Sequence, residues 1–524
     1  MRRLTGIKLC LLVMLCLSLP AVVLVPASAP AAAAQNSKNA SRVLLVYDSL
    51  GVDSPAAGNI EALQRMLLSL GATVTTIASD AYKPEMAEDY AKLVTVCNTE
   101  DLCGSITAGM AAFTGEWLHI GPNPPEVLRG KLALRTETAS RQSLKLSVGG
   151  LFEDHIFVNR LAYITEGKGE TYGQMTSSEG AVKTPFAVSA GGYAYVPYFE
   201  SGNLSELAVA YVLRTWLGVE APTQSHLLIR GITPFIDLDR LEALSEQLYN
   251  AGIPFLVSVS PLFNNTDYPA MQRYLAALQT VQSYNGSVLV QVPTPTSAGQ
   301  DPSILKTQMD GFLNHLADAG IAPLGMTGDM KRAQEKEGRE AGFAFSDTTI
   351  LFANESGVTT RETEAVQPFA ASPYTMPASV LLQISHENKI WPAFPVNLAV
   401  TFDWFESDAS QEEAVREAAG SWLPFADFKS ETHSLSSSAH KAESRSGALL
   451  LDGKPADLQD QAEPEEQAAV VAQPEQKVTF HALFSVQSRI LIVLIITTLM
   501  LFAVFLLIGY RLYKKKYYKS GGGL

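Results

Sequence analysis

Hydrolysis of a polar substrate needs either a divalent ion held by clustered His, Asp or Cys side chains, or a nucleophile poised beside a base. The chain carries eight histidines: His119, His155, His226, His315, His386, His433, His440 and His481. Apart from His433 and His440, no two lie close enough in sequence to form a local pair, so a metal site would need partners from distant elements. Cys97 and Cys103 fit either a bridge across a short loop in an oxidising compartment or two thiols. They have no metal-site spacing and no glycine-flanked nucleophile elbow. Asp48 ends the apolar run 42–48, at the carboxyl end of a first strand, where open α/β sheets bind ligands. It is the ligand-loop candidate of the N-terminal region, with a loop cap as its plainer role. Neither G-x-G-x-x-G nor a Walker sequence occurs, so nothing signals a dinucleotide site.

These residues sit in two stretches of α/β pattern. RVLLVYD (42–48) reads as a buried strand, Ile60, Leu63, Met66, Leu67 and Leu70 follow at helical spacing, and 73–77 is β-branched. Strand, helix and strand in that order make a right-handed βαβ unit. Apolar runs at 93–96, 117–120 and 186–189 continue the alternation, and 204–217 reads as a closing helix. The expectation is an α/β sandwich over 40–220, with a flavodoxin-like or amidotransferase-like order of elements. A second pattern starts with HLLIR (226–230). Asp239–Glu242 has the form of a capping box opening a helix, IPFLVSV (253–259) is the next strand, a helix spans 271–284, and a third strand spans 287–292. Repetition of this unit predicts a barrel or distorted barrel within 225–429.

The two ends place the chain in an envelope. Arg2, Arg3 and Lys8, the apolar stretch 9–24 and Ala32-Ala33-Ala34 read as a signal peptide over 1–34, an uncleaved anchor being the alternative. The stretch 490–510 carries no charge. At about 1.5 Å per residue it is long enough to cross a hydrocarbon core of about 30 Å. Arg511, Lys514, Lys515, Lys516 and Lys519 follow it, which puts the tail 511–524 in the cytoplasm and the bulk outside. The segment 430–488, rich in Ser, Glu and Pro, reads as a disordered acidic linker, with His433 and His440 solvated in it. The formal charge of −14 excludes a basic nucleic-acid-binding surface. Five N-x-[ST] sequons, Asn203 and Asn354 among them, matter only in a glycosylating host.

The segment LLIRGITPFIDLDRLEALSEQLYNAGIPFLVSVSPLF (227–263) resembles the opening of polysaccharide-deacetylase-like domains, in particular a divergent membrane-anchored bacterial branch of unknown function. Thr233-Pro234-Phe235 and Gly252-Ile253-Pro254-Phe255 carry the likeness, which extends over about 225–405. The resemblance implies a barrel in which an aspartate and two histidines hold a divalent metal such as zinc, while a second aspartate takes a proton from metal-bound water. Here the paired aspartates fall on Arg230 and Gly231, and Gln291 and Pro295 stand where imidazoles are expected. The family's ligands are missing, so no cofactor is expected. Asp237 and Asp239 read as helix-start carboxylates. Thr401-Phe402-Asp403-Trp404 superficially resembles the family's threonine-phenylalanine-aspartate motif, but at the far end of the domain. If the alignment holds, Arg230, Gly231, Gln291 and Thr294 gather at the barrel mouth. There they either hydrogen-bond a sugar or an anionic substituent, or Arg230 pairs with a carboxylate and fills the old pocket.

Three functions are open. The first is a membrane-tethered, non-catalytic deacetylase relative that binds an envelope glycan or organises exopolysaccharide or cell-wall assembly. The second is an active carbohydrate deacetylase or hydrolase with a displaced metal site, and the third is a scaffold for envelope proteins. The expected partners are the lipid bilayer and envelope polysaccharide or envelope proteins.

Overall fold

The computed structural model describes residues 41–456, apart from 100–108, 179, 181, 295–300, 355–365, 368, 370 and 387–393. The signal segment, Cys103, Pro295, His481, the run 490–510 and the basic tail lie outside the described residues. Among the described residues no helix is long and apolar enough to cross a membrane.

The N-terminal half opens as its sequence pattern predicts. Strand β1 (Arg42–Tyr47) leads into helix α1 (Asn59–Ser69) and then β2 (Thr73–Ala78), β3 (Lys92–Val96) and β4 (Glu116–Ile120). All pair in parallel around β1 and β3. Their near-continuous burial is what a parallel strand covered on both faces requires. After β4 the expected alternation stops. Four antiparallel strands follow: β5 (Arg135–Val148), β6 (Leu151–Glu166), β7 (Glu170–Ser177) and β8 (Lys183–Ala190). Strand β9 (Tyr193–Val196) then rejoins the parallel set beside β4, and helix α2 (Ser205–Leu217) closes the half. The result is a ten-stranded mixed sheet rather than an alternating α/β sandwich.

Seven parallel strands form a closed barrel: β10 (Ser225–Ile232), β11 (Phe255–Val259), β12 (Ser287–Gln291), β13 (Gly325–Asp329), β14 (Thr349–Phe352), β15 (Tyr374–Pro377) and, after β16 (Ser385–His386), β17 (Leu398–Asp403). Strand β17 closes the ring by pairing with both β10 and β15. Helix α3 (Leu238–Asn250) follows β10, α4 (Pro269–Ser283) follows β11, α5 (Pro302–Asp318) precedes β13, and α6 (Met330–Gln334) follows it. The cap of α3 is Asp237, whose Oδ1 accepts from the amide of Arg240 at 3.1 Å, so the helix begins before the anticipated box at Asp239–Glu242. The two halves are not separate bodies. β16 pairs with β6, and one compact unit spans both.

Part of the stretch 430–488, expected to be a disordered linker, is folded. Strands β18 (His433–Ser436), β19 (Lys441–Arg445), β20 (Ala448–Leu451) and β21 (Lys454–Pro455) form a four-stranded antiparallel sheet. His433 is fully buried in it, and Leu435 and Ala442 are buried as well. His440 is not simply solvated: Nδ1 lies 2.8 Å from Asp452 Oδ2 and Nε2 lies 3.2 Å from Asp318 Oδ1. Those carboxylates raise its pKa.

Candidate functional site

Side chains inside a parallel barrel come from alternate positions on each strand. In this barrel the inner set starts apolar. Leu228, Leu256, Leu289, Ile350, Phe352 and Ala399 form one buried cluster together with Phe428. At the amino ends of the strands that cluster is plugged by aromatic rings. His226 meets Phe428 edge-on at 5.1 Å, and His433 stacks on Phe428 at 3.8 Å and 7°. His226 Nδ1 lies 3.0 Å from Ala426 O, and His433 sits between Thr348 Oγ1 at 2.8 Å and Phe428 O at 3.0 Å. Burial lowers the pKa of both imidazoles to about 4, so both are neutral near pH 7.

Toward the carboxyl ends the same inner positions become polar. Ser258 on β11 and Thr327 on β13 share a hydrogen bond of 2.6 Å across the barrel, with β12 lying between their strands in the ladder. One step higher, Ser260 donates to Gln291 Oε1 at 3.3 Å, and Thr294 donates to Asp329 Oδ2 at 3.2 Å. The Tyr274 hydroxyl donates to Ile232 O at 3.1 Å and Ser260 O at 3.2 Å, fastening the ends of β10 and β11 together.

Arg230 stands in this upper layer. Its guanidinium carbon lies 4.3 Å from the centroid of the Phe352 ring, and its Nε lies 3.5 Å from Asp403 Oδ1 on neighbouring β17. The Arg230 side chain is 25 % exposed and that of Asp403 85 %, so the carboxylate faces solvent while most of the Arg230 side chain is covered. Gly231 occupies a bulge where the β10–β11 register shifts between Ile229 and Ile232, with φ +79. A glycine adopts that left-handed conformation freely, whereas an aspartate there would be strained. The turn after β10 then leaves Phe235 85 % exposed.

The structure places Arg230 and Gly231 at the carboxyl end of β10, and Gln291 and Thr294 at and just past that of β12. Strands β10 and β12 are separated by β11 alone, roughly 10 Å at the usual strand spacing. Sequence reasoning left out Phe352, Ser260, Asp329 and the pairing of Arg230 with Asp403. For Asp403 there was a signal, the Thr401–Trp404 motif, set aside because it lies at the far end of the domain. That end of the domain is the strand beside β10.

Asp48 and Cys97 lie elsewhere. Asp48 Oδ1 accepts from the amide of Asn98 at 2.8 Å, and Oδ2 accepts from the amide and hydroxyl of Thr99 at 2.7 and 2.9 Å. The carboxylate thus ties the β1 loop to the β3 loop, the plainer of its two roles. Cys97 is disulfide-bonded.

Among the described residues the mouth does not suit a divalent ion: Asp329 accepts from Thr294, Asp403 lies against the Arg230 guanidinium, and a cation there would be repelled by Arg230. Among the described residues no group of three or more His, Cys, Asp or Glu side chains is arranged to hold a metal. What the mouth offers is a rigid guanidinium, an amide, hydroxyls and an exposed aromatic ring.

No protein-family profile matches the chain, and no curated protein matches it. Among solved structures, that of Agd3, described as a novel carbohydrate deacetylase, aligns over 60 % of this chain with a TM-score of 0.27 and 8 % identity. The chain spans about 65 % of that structure's length. A likeness this slight carries no argument about fold or activity.

Proposed function

We propose that the chain is a membrane-tethered extracytoplasmic protein whose deacetylase-like barrel binds an envelope glycan without hydrolysing it, and so organises exopolysaccharide or cell-wall material. The observation that carries this reading is the Arg230–Asp403 pair, with Arg230 over Phe352, on a rim that also presents Ser260, Gln291, Thr294 and the Asp329 carboxylate. Guanidinium, amide and hydroxyl groups match the hydroxyls and acidic substituents of a sugar, and the exposed Phe235 provides a flat apolar surface of the kind sugar rings pack against. The resemblance in 227–263 supplies the carbohydrate class, and the donor set speaks against the family's metal chemistry.

The test uses full-length protein in detergent. Bound zinc and deacetylation of acetylated oligosaccharides are measured alongside a binding screen on neutral and uronate-bearing oligosaccharides, with wild type and Arg230→Ala. The expected result is no turnover, and binding that Arg230→Ala weakens about tenfold or more, as for loss of a charge-assisted hydrogen bond. Stoichiometric zinc with turnover would favour an active hydrolase. Binding unaffected by Arg230→Ala would remove the mouth from the account.

A further inference from the structure

Helix α1 belongs to the N-terminal half, yet its side chains reach the barrel in three places. Arg65 Nη1 donates to the carbonyl of Thr375 at 3.0 Å and to its hydroxyl at 2.7 Å, with the guanidinium carbon 4.7 Å from the centroid of the Tyr374 ring. Thr375 Oγ1 in turn donates to Leu351 O at 2.8 Å. This bond crosses the barrel seam at β14 and β15, whose ladder consists of the single pair Leu351↔Tyr374. Gln64 Oε1 accepts from Gln334 Nε2 on α6 at 2.8 Å. One turn before Arg65, Glu61 Oε1 accepts from the amide of Asn354 at 2.8 Å, just past the end of β14.

The last contact leads to the mouth. Asn354 Oδ1 accepts from the amide of Lys331 at 2.9 Å, two residues beyond Asp329, and Asp329 Oδ2 accepts from Thr294. Glu61 and Arg65 are only 6 % and 7 % exposed, so neither side chain touches a ligand at the mouth directly. Burying a carboxylate is costly, and burial raises the pKa of Glu61; the Asn354 amide donating to Oε1 and the charge of Arg65, whose Nε lies 3.8 Å from it, oppose that cost. Removing it would take the acceptor away from the half-buried Asn354 amide and loosen the chain just past β14.

We infer that Glu61 is a positioning residue for the barrel mouth: the N-terminal half, through α1, fixes the ends of β13 and β14 and thereby the Thr294–Asp329 side of the rim. The inference deepens the glycan-binding proposal and rests on it for its functional meaning, while the positioning itself has a ligand-free readout.

The test compares full-length wild type, Glu61→Ala and Glu61→Gln by amide hydrogen exchange and by binding to a uronate oligosaccharide. In Glu61→Ala the amides of Asn354 and Lys331 exchange about fivefold or more faster while those of β12 keep their rate, and affinity falls about fivefold or more. Glu61→Gln, which retains an acceptor oxygen for the Asn354 amide, restores both to within about twofold, since a neutral acceptor of the same shape still makes that bond. Unchanged exchange at Asn354 and Lys331 in Glu61→Ala would overturn the inference. So would an equal loss of protection throughout the barrel, which marks a merely structural staple. If wild type binds no oligosaccharide, the glycan proposal fails, and the exchange pattern alone decides whether Glu61 positions the rim.

Discussion

The two ends of the barrel are built from the same seven strands and do opposite things. At the amino ends the inner side chains meet an aromatic plug, His226, Phe428 and His433, covered by the small C-terminal sheet. At the carboxyl ends they are Arg230, Ser260, Gln291, Asp329 and Asp403, partly open to water. The difference shows how alternate inner positions can be assigned along one strand, apolar where the barrel must hold together and polar where it meets something. Stability should therefore reside at the plugged end and recognition at the open one.

The largest expected effect comes from breaking the plug. Phe428→Ala removes a fully buried ring and should cost about 3 to 5 kcal/mol in denaturant unfolding. If it cost no more than a mouth substitution, the contrast between the ends would be lost. Acid should act at the same end with an effect of similar size. The folded pKa of His226 and of His433 is about 4, below the ordinary value of 6.5. The unfolded chain therefore binds more protons in that window, and the stability held by the neutral imidazoles is present above about pH 6.5 and is lost as pH falls toward 4. The loss is on the order of a few kcal/mol, and replacing His433 by Gln should flatten the pH dependence in that window. An equally steep profile in the variant would locate the acid sensitivity elsewhere.

At the open end the effects should be smaller. Gly231→Ala forces a side chain into a positive-φ bulge and should destabilise by about 1 to 2 kcal/mol, read from the denaturation midpoint. Asp403→Asn removes the exposed partner of Arg230 and should change stability by less than about 1 kcal/mol, because a pair this open is screened by water. Ligand affinity should nevertheless respond to it. A large stability loss in Asp403→Asn would mean that the mouth is a filled pocket.

The first three barrel strands were legible because they are short apolar runs set between helices of ordinary period, as in 226–230 and 253–259. The same holds for β1 to β3. Strands β5 and β6 were not legible. RTETASRQS in β5 alternates poorly, and its outer part is mostly exposed or half-buried, so no face of it carries an apolar stripe. The sheet at 433–455 was not legible for a related reason: β18 and β19 bury two side chains each and β20 and β21 none, too few to stand out from a Ser- and Glu-rich background. At the site, Arg230, Gly231, Gln291 and Thr294 were singled out by the resemblance in 227–263, which sets them against the family's metal-site positions. Phe352, Asp329 and Glu61 were not, since their nearness to the mouth depends on barrel closure and on packing of the N-terminal half, which no local spacing encodes.

The most direct test of a glycan-binding open end is hydrogen exchange on full-length protein with and without a saturating uronate oligosaccharide. Protection is expected to rise at 230–236, 291–294 and 403–407, with no change at 426–456. Protection confined to the plugged end, or to the β1 and β3 loops around Asp48, would contradict it.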